Sequence, residues 1–331
     1  MDRIATPVAR FLSGTRIVRG VLYKSVLLWT PVFWIALVQE PKAVSSASAW
    51  GFGVNMALYL MWAFAVNDYA DRDCDAAVGK ERTIARLSDR VILVILASLL
   101  LANFAMGYYL AGSGYYVLIL ALGLWSGLAY SLKPFRIKER GVWGICFPGI
   151  LGKVIPFAMV CALYKTASWC LVVMCMGEYL KNTIDLLFHQ IVDVDNDRAG
   201  GVKTFVVEQG EERATCLLRR LAWIGLLPAV SIAVLYGVYI PEFRWVLAGM
   251  LVLSLPVMRV SWKRFSARDG GSLTGLVPIQ YLYGGYAVYI LSPLWLSLIA
   301  AIRNPEFMSI ALFLTVILGF QTVFYLRYRY R

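Results

Sequence analysis

Two acidic stretches carry the residues best suited to chemistry. The first is Asn67-Asp68-Tyr69-Ala70-Asp71-Arg72-Asp73-Cys74-Asp75. The second is His189-Gln190-Ile191-Val192-Asp193-Val194-Asp195-Asn196-Asp197, continuing into Arg198-Ala199-Gly200-Gly201-Val202-Lys203-Thr204. Each follows an apolar run. If those runs are helices, Asn67, Asp71 and Asp75 recur at i, i+4 and i+8, Asp68 stands three before Asp71, and Asp193 and Asp197 repeat the four-residue step. Each group then presents its carboxylates on one helical face. Like charges one turn apart repel, so a cation or an ordered solvent shell has to stand between them. One such stretch alone fits a solvated acidic cap equally well. Two with matching spacing, each followed by basic residues, favour a pair of cation-binding groups.

The elements that must position these groups are membrane helices. The chain has 331 residues, 60% hydrophobic and only 16% charged, and its mean hydropathy is +0.67. A soluble protein is ordinarily about 25% charged. Apolar stretches of about 20 residues, long enough to cross a bilayer, lie near 22–40, 47–66, 91–111, 115–131, 142–163, 168–189, 217–239, 243–259, 276–301 and 306–326. With the N-terminus inside, the Lys and Arg residues gather in the loops and at the span ends of one side, except Lys42, Lys165, Arg244 and Arg303 on the other side and Lys153 and Lys181 in span interiors. This puts both termini and both acidic stretches on the cytoplasmic side. The net charge of +12 then reflects basic loops facing anionic lipid, with no nucleic-acid partner needed. The six cysteines form no CxxC pair, so neither a disulfide framework nor a zinc site is expected. The first apolar run has no small-residue cleavage site after it and reads as a retained span. The expected fold is a single all-α integral membrane domain over 1–331, a bundle of about nine or ten transmembrane helices around a central cavity. Its halves, beginning near 22 and 142, each carry an acidic stretch after their second span, which hints at duplication.

The first stretch reads N-D-x-x-D-x-x-x-D and the second D-x-x-x-D followed by R-x-G-G-x-K-T. In these spacings and places the chain resembles the UbiA superfamily of intramembrane prenyltransferases. The resemblance extends to Tyr130-Ser131-Leu132-Lys133-Pro134-Phe135-Arg136-Ile137-Lys138, which is similar to the family's Tyr-Ser-x-x-Pro-x-x-x-Lys segment, and covers about 20–210. It implies Mg²⁺ held by Asn67, Asp68, Asp71, Asp75, Asp193 and Asp197, with Asn67 a weaker ligand. It also implies an isoprenyl diphosphate contacted by Arg82, Arg86, Lys138, Arg198 and Lys203, and catalytic roles for Asp71, Asp193, Lys203 and Tyr130. The physics agrees: Mg²⁺ prefers carboxylate and phosphate oxygens, and bound cations stabilise the charge that builds on a departing diphosphate. Transfer to an aromatic or lipid acceptor within the membrane would follow.

The sixth span carries Glu178, Lys181, Asn182, Asp185 and His189 at three- and four-residue steps, a polar stripe on an apolar helix. Such groups at membrane depth face a cavity or each other. Asn182 and Asp185 are expected to line the pocket beneath the metals, Glu178 to pair with Lys181, and Lys153 of the fifth span to pair with Asp185 or Glu178; His189, the one histidine, suits a general base but is expected rather to hydrogen-bond Asp193. Two departures stand out: Leu87 follows Arg82-Thr83-Ile84-Ala85-Arg86 where the family often has Pro, and Gln190 stands where many members have an acid. They keep open a membrane terpene cyclase that needs no acceptor. A cation-coupled transporter would place its carboxylates near the midplane, whereas both clusters here sit at span ends.

Overall fold

The structure is a computed structural model that describes residues 21, 23–77, 87–112, 114–246, 248, 289 and 291–328. Arg82 and Arg86 lie outside these residues, as do most of the expected span at 243–259 and the first part of that at 276–301. The chain begins with α1 (Tyr23–Leu27) and α2 (Thr30–Trp34), which runs on into a π-turn at Ile35–Gln39. Next come α3 (Ser46–Ala70) and the short α4 (Arg72–Ala77), then α5 (Asp89–Ala111) and α6 (Gly114–Ser131). α7 (Val142–Gly149), a π-helical segment (Ile150–Val154) and α8 (Ile155–Tyr164) form one continuous crossing. α9 (Trp169–Val192) and α10 (Val194–Ala199) carry the second acidic stretch. The remaining helices are α11 (Phe205–Gln209), α12 (Glu211–Ile224), α13 (Leu226–Tyr239), α14 (Ser292–Arg303) and α15 (Met308–Tyr328). The described residues contain no β-strand.

Sequence signals fix several of the helix ends. Ser45 starts α3 with a capping box, its hydroxyl accepting from the Ser48 N–H while the Ser48 side chain accepts from Ser45. Ser168 starts α9 by accepting from the Leu171 N–H. Gly112, at φ 52°, ends α5 in the left-handed conformation that glycine adopts without a Cβ penalty. The result is a set of long apolar helices. Ser46–Ala70, Asp89–Ala111, Gly114–Ser131, Val142–Tyr164 and Glu211–Tyr239 are each long and apolar enough to cross a membrane. Trp169–Val192 matches them in length but carries Glu178, Lys181 and Asp185 in its middle. Lys24–Gln39 is shorter than the span expected there, and Ser292–Arg303 is the apolar helix described within that expected at 276–301.

Leu93, Val94 and Leu101 of α5 and Leu227 and Val230 of α13 stand exposed. Continuous apolar surface of this kind is solvated by lipid tails, so this is a multi-pass membrane protein. Between helices in lipid, close packing and hydrogen bonds take over from the hydrophobic effect. The buried Asn55 of α3 shows both: its amide donates to Asn103 O of α5 at 3.3 Å and its Oδ1 accepts from the Tyr116 hydroxyl of α6 at 2.7 Å. Three helices are thereby pinned at one level.

The placement of α9 bears most directly on the site. It packs against α7, the π-helical segment, α12 and α13. Val172 and Met176 are exposed on one side of it, while Asp185 and His189, with side chains 48% and 65% accessible, lie roughly 140° around the helix at 100° per residue. Glu178, Lys181 and Asn182 share that second side, so the polar stripe faces away from the lipid-exposed face, its Asp185 and His189 end reaching accessible space while Glu178 is buried. Lower on the stripe, the partner the structure shows for Glu178 is Lys153 of the π-helical segment, at 2.5 Å, and Lys181 pairs with Asp185.

Candidate functional site

The two acidic stretches have the same local backbone. α3 ends at Ala70 and α9 at Val192, and each is followed by one carboxylate residue outside helical geometry: Asp71 at φ −101°, ψ 3° and Asp193 at φ −99°, ψ 5°. A six-residue helix then begins in each case. The straight helical face expected from the sequence is therefore interrupted at the Asp of each motif. The i to i+4 spacing survives because the backbone bonds continue across the break: Asp71 N to Asn67 O at 3.0 Å and Asp75 N to Asp71 O at 2.8 Å, matched by Asp193 N to His189 O at 3.0 Å and Asp197 N to Asp193 O at 2.9 Å. Each interruption sits in the sparsely allowed region near ψ 0° where many site residues are found.

Around Asp71 the structure assembles a polar group from three elements. Asn67 and Asp71 come from the end of α3, Ser131 from the last residue of α6, and Arg136 and Lys138 from the loop that joins α6 to α7. The Lys138 ammonium donates to Asp71 Oδ1 and lies 3.4 Å from Asn67 Oδ1, which also accepts from Ser131 Oγ at 3.4 Å. Arg136 Nη2 meets the same Asp71 oxygen at 3.3 Å, its Nη1 donates to Ala70 O at 3.3 Å, and its Nε donates to Glu139 Oε1 at 2.6 Å. Arg136 adopts φ 36°, uncommon for a residue with a side chain, and its three acceptors hold it there. Burial lowers the Lys138 pKa below the ordinary lysine value, and the Asp71 carboxylate opposes that shift. Tyr130 lies just before this loop, stacked on Phe147 with a ring spacing of 6.2 Å, its hydroxyl 3.4 Å from Gly144 O.

The second stretch makes its own contacts. His189 Nδ1 stands 3.1 Å from Asp193 Oδ2, the one-turn pairing its spacing anticipates. Arg198 reaches Asp195 at 3.5 Å and Glu211 at 3.6 Å, Lys203 is exposed, and Asp68 is buried while Asp75, Asp197 and Asn182 are partly buried. Gln190 is buried, with no hydrogen-bond partner for its Oε1 among the described residues. The loop after α6 and the segment after the second stretch share one end of the bundle, since Glu208 of α11 lies beside Gly141. Among the described residues, no three His, Cys, Asp or Glu side chains converge closely enough to hold an ion by themselves. The donors of the two stretches are all hard oxygens and suit Mg²⁺, which is usually held by one or two carboxylates completed by water and substrate phosphate. A cavity of about 680 Å³ lies at the opposite end, between α6 and α8, lined by Tyr115, Ile119, Ala158, Cys161, Ala162 and Lys165.

The sequence reading carried Arg136 within the Tyr130–Lys138 segment but gave it no role, because the motif marks Tyr130, Ser131, Pro134 and Lys138. The signal it lacked is the left-handed backbone that turns the guanidinium onto the end of α3.

The UbiA prenyltransferase family matches residues 28–276, and the chain belongs to this family. It is 24% identical over 208 residues to the bacteriochlorophyll synthase 33 kDa chain of Cereibacter sphaeroides, covering 59% of this chain and 65% of that one. It is 27% identical over 179 residues to the protein of that name from Rhodobacter capsulatus, covering 52% and 58%. The chain thus spans less than two thirds of the length of these two curated relatives. The bacteriochlorophyll synthase 34 kDa chain of Chloroflexus aurantiacus is 28% identical over 240 residues, covering 62% of this chain and 72% of the relative. Among solved structures, a UbiA homolog from Archaeoglobus fulgidus bound to DMAPP and Mg²⁺ superimposes with a TM-score of 0.58 at 15% identity, over 91% of this chain and 98% of that one. The apo UbiA homolog from Aeropyrum pernix K1 gives 0.60 at 15%, over 87% and 98%. At such identities the likeness establishes the fold.

Proposed function

We propose that this chain is a Mg²⁺-dependent prenyltransferase that ionises an isoprenyl diphosphate at the cytoplasmic end of a single membrane domain and transfers the prenyl group to an aromatic or lipid acceptor. The observation that carries the reading is the pair of acidic stretches with one shared backbone form, each at the end of a long helix, with basic residues beside them. Asp71 and Asp193, supported by Asn67, Asp68, Asp75 and Asp197, would hold the metal. When bound, Mg²⁺ supplies positive charge to the diphosphate oxygens. Lys138, Arg198 and Lys203, with Arg82 and Arg86, bind and orient the diphosphate, and Tyr130 closes the site beside Phe147. The allylic C–O bond breaks with its electron pair leaving on diphosphate. An electron pair of the acceptor forms the new bond to the prenyl carbon, and the acceptor's displaced proton passes to water or diphosphate. The stripe of Asn182 and Asp185 lines the accessible space below.

Family membership and relatives named for bacteriochlorophyll synthesis both support prenyl transfer, and place a bacteriochlorophyll-type macrocycle in the acceptor panel. The test is product analysis with purified protein, geranyl, farnesyl or geranylgeranyl diphosphate, Mg²⁺ and that panel. Pyrophosphate release that requires an acceptor, yields a prenylated product and stops with EDTA is the expected result. Release without acceptor, with a cyclic hydrocarbon or alcohol formed, would assign a terpene cyclase instead.

A further inference from the structure

The cations gathered on Asp71 differ in what else they hold. Arg136 is tied to the backbone of α3 through Ala70 O and to Glu139, so two of its three acceptors belong to the scaffold. Both acceptors of Lys138, Asp71 Oδ1 and Asn67 Oδ1, belong to the first acidic stretch. Only 11% of the Lys138 side chain is accessible. A buried ammonium is costly unless an anion accompanies it. In this structure that anion is Asp71, and a bound diphosphate is the other anion the site would offer.

On the reading that Asp71 is a metal ligand, we propose that Lys138 is an exchange residue. It neutralises Asp71 while no substrate is present and is drawn onto the diphosphate when substrate arrives, so that Asp71 is released to the metal only in company with the diphosphate. Arg136 keeps its scaffold contacts and holds the loop in register throughout. A divalent ion approaching Asp71 without diphosphate meets two cations converging on one carboxylate oxygen, and their repulsion weakens its binding. With diphosphate bound, the Lys138 charge is taken up elsewhere. Metal and diphosphate therefore bind with positive coupling, part of which Lys138 supplies, and the coupling is reciprocal.

The experiment measures Mn²⁺ binding by electron paramagnetic resonance to the detergent-purified full chain without any diphosphate. Lys138→Met removes the charge, Lys138→Gln removes it while keeping a hydrogen-bonding amide, and Lys138→Arg retains it. The expected result is Mn²⁺ affinity about tenfold higher than wild type in folded Lys138→Met or Lys138→Gln, no gain in Lys138→Arg, and loss of the gain when Asp71→Asn is added. A gain below threefold in both neutral variants, or an equal gain in Lys138→Arg, overturns the proposal. The controls separate it from the broader functional reading. Mn²⁺ binding that depends on Asp71 but ignores Lys138 removes only the exchange role, whereas binding indifferent to Asp71→Asn removes the metal assignment itself.

Discussion

The Lys153–Glu178 pair makes a quantitative demand on stability. Its atoms stand 2.5 Å apart, with side chains only 11% and 5% accessible, and it joins the π-helical segment to α9. π-helical turns are rare and frequently mark functional sites. Here the turn brings a lysine onto a glutamate. Replacing Lys153 with Met strands a buried carboxylate, and Glu178→Gln strands a buried ammonium. Breaking a buried pair from one side costs about 3–5 kcal/mol. Each single variant is therefore expected to lose about 3–5 kcal/mol. The double variant Lys153→Met/Glu178→Gln leaves no charge and is expected to lose about 1–2 kcal/mol, because a neutral amide remains to be satisfied in apolar surroundings. The assay is equilibrium unfolding in mixed dodecyl maltoside and SDS micelles for the four proteins of the cycle. Single losses below about 1 kcal/mol, or a double loss equal to the sum of the singles, would refute the reasoning.

Three further expectations rest on separate features. Gly177→Ala places a Cβ 2.6 Å from the Tyr289 hydroxyl and 2.8 Å from Ile232 Cδ1, so overpacking is expected to cost about 1–3 kcal/mol in the same unfolding assay. Arg303 holds Glu242 at 3.1 and 2.7 Å and Leu37 O at 3.3 Å, and the pair depresses the Glu242 pKa. A carboxylate with a depressed folded pKa contributes stability above its unfolded pKa and loses it as pH falls through the folded value. Glu242→Gln is therefore expected to cost under about 1 kcal/mol at neutral pH, given the exposure of the pair, with the difference vanishing in melts at strongly acidic pH. Arg136→Ala unfastens the loop from Ala70 and Asp71 and is expected to raise the KM for diphosphate more than it lowers kcat, read from steady-state pyrophosphate release.

The sequence revealed the parts of the fold that depend on local residue pattern. Apolar length marked five of the expected spans among the described residues. The spacing of the two acidic stretches anticipated the shared i to i+4 bonds across Asp71 and Asp193. The break at each of these residues was not legible, because one residue shifted out of helical geometry leaves the spacing intact. The choice of Lys153 as the shown partner of Glu178 depends on a π-helical turn that no residue pattern announces. The role of Arg136 was not legible for a related reason: its contacts arise from a left-handed backbone in a loop, whereas periodicity reports only on regular helices.

The most direct test of the central claim compares pyrophosphate release from geranylgeranyl diphosphate in proteoliposomes for wild type, Asp71→Asn and Asp193→Asn, with Mg²⁺ and with EDTA. The account predicts Mg²⁺-dependent release by wild type and a fall of at least about a hundredfold in each variant, the scale of losing one strong electrostatic contribution to the transition state, with the melting profile retained. Undiminished release by either folded variant, or release by wild type that ignores EDTA, would contradict it.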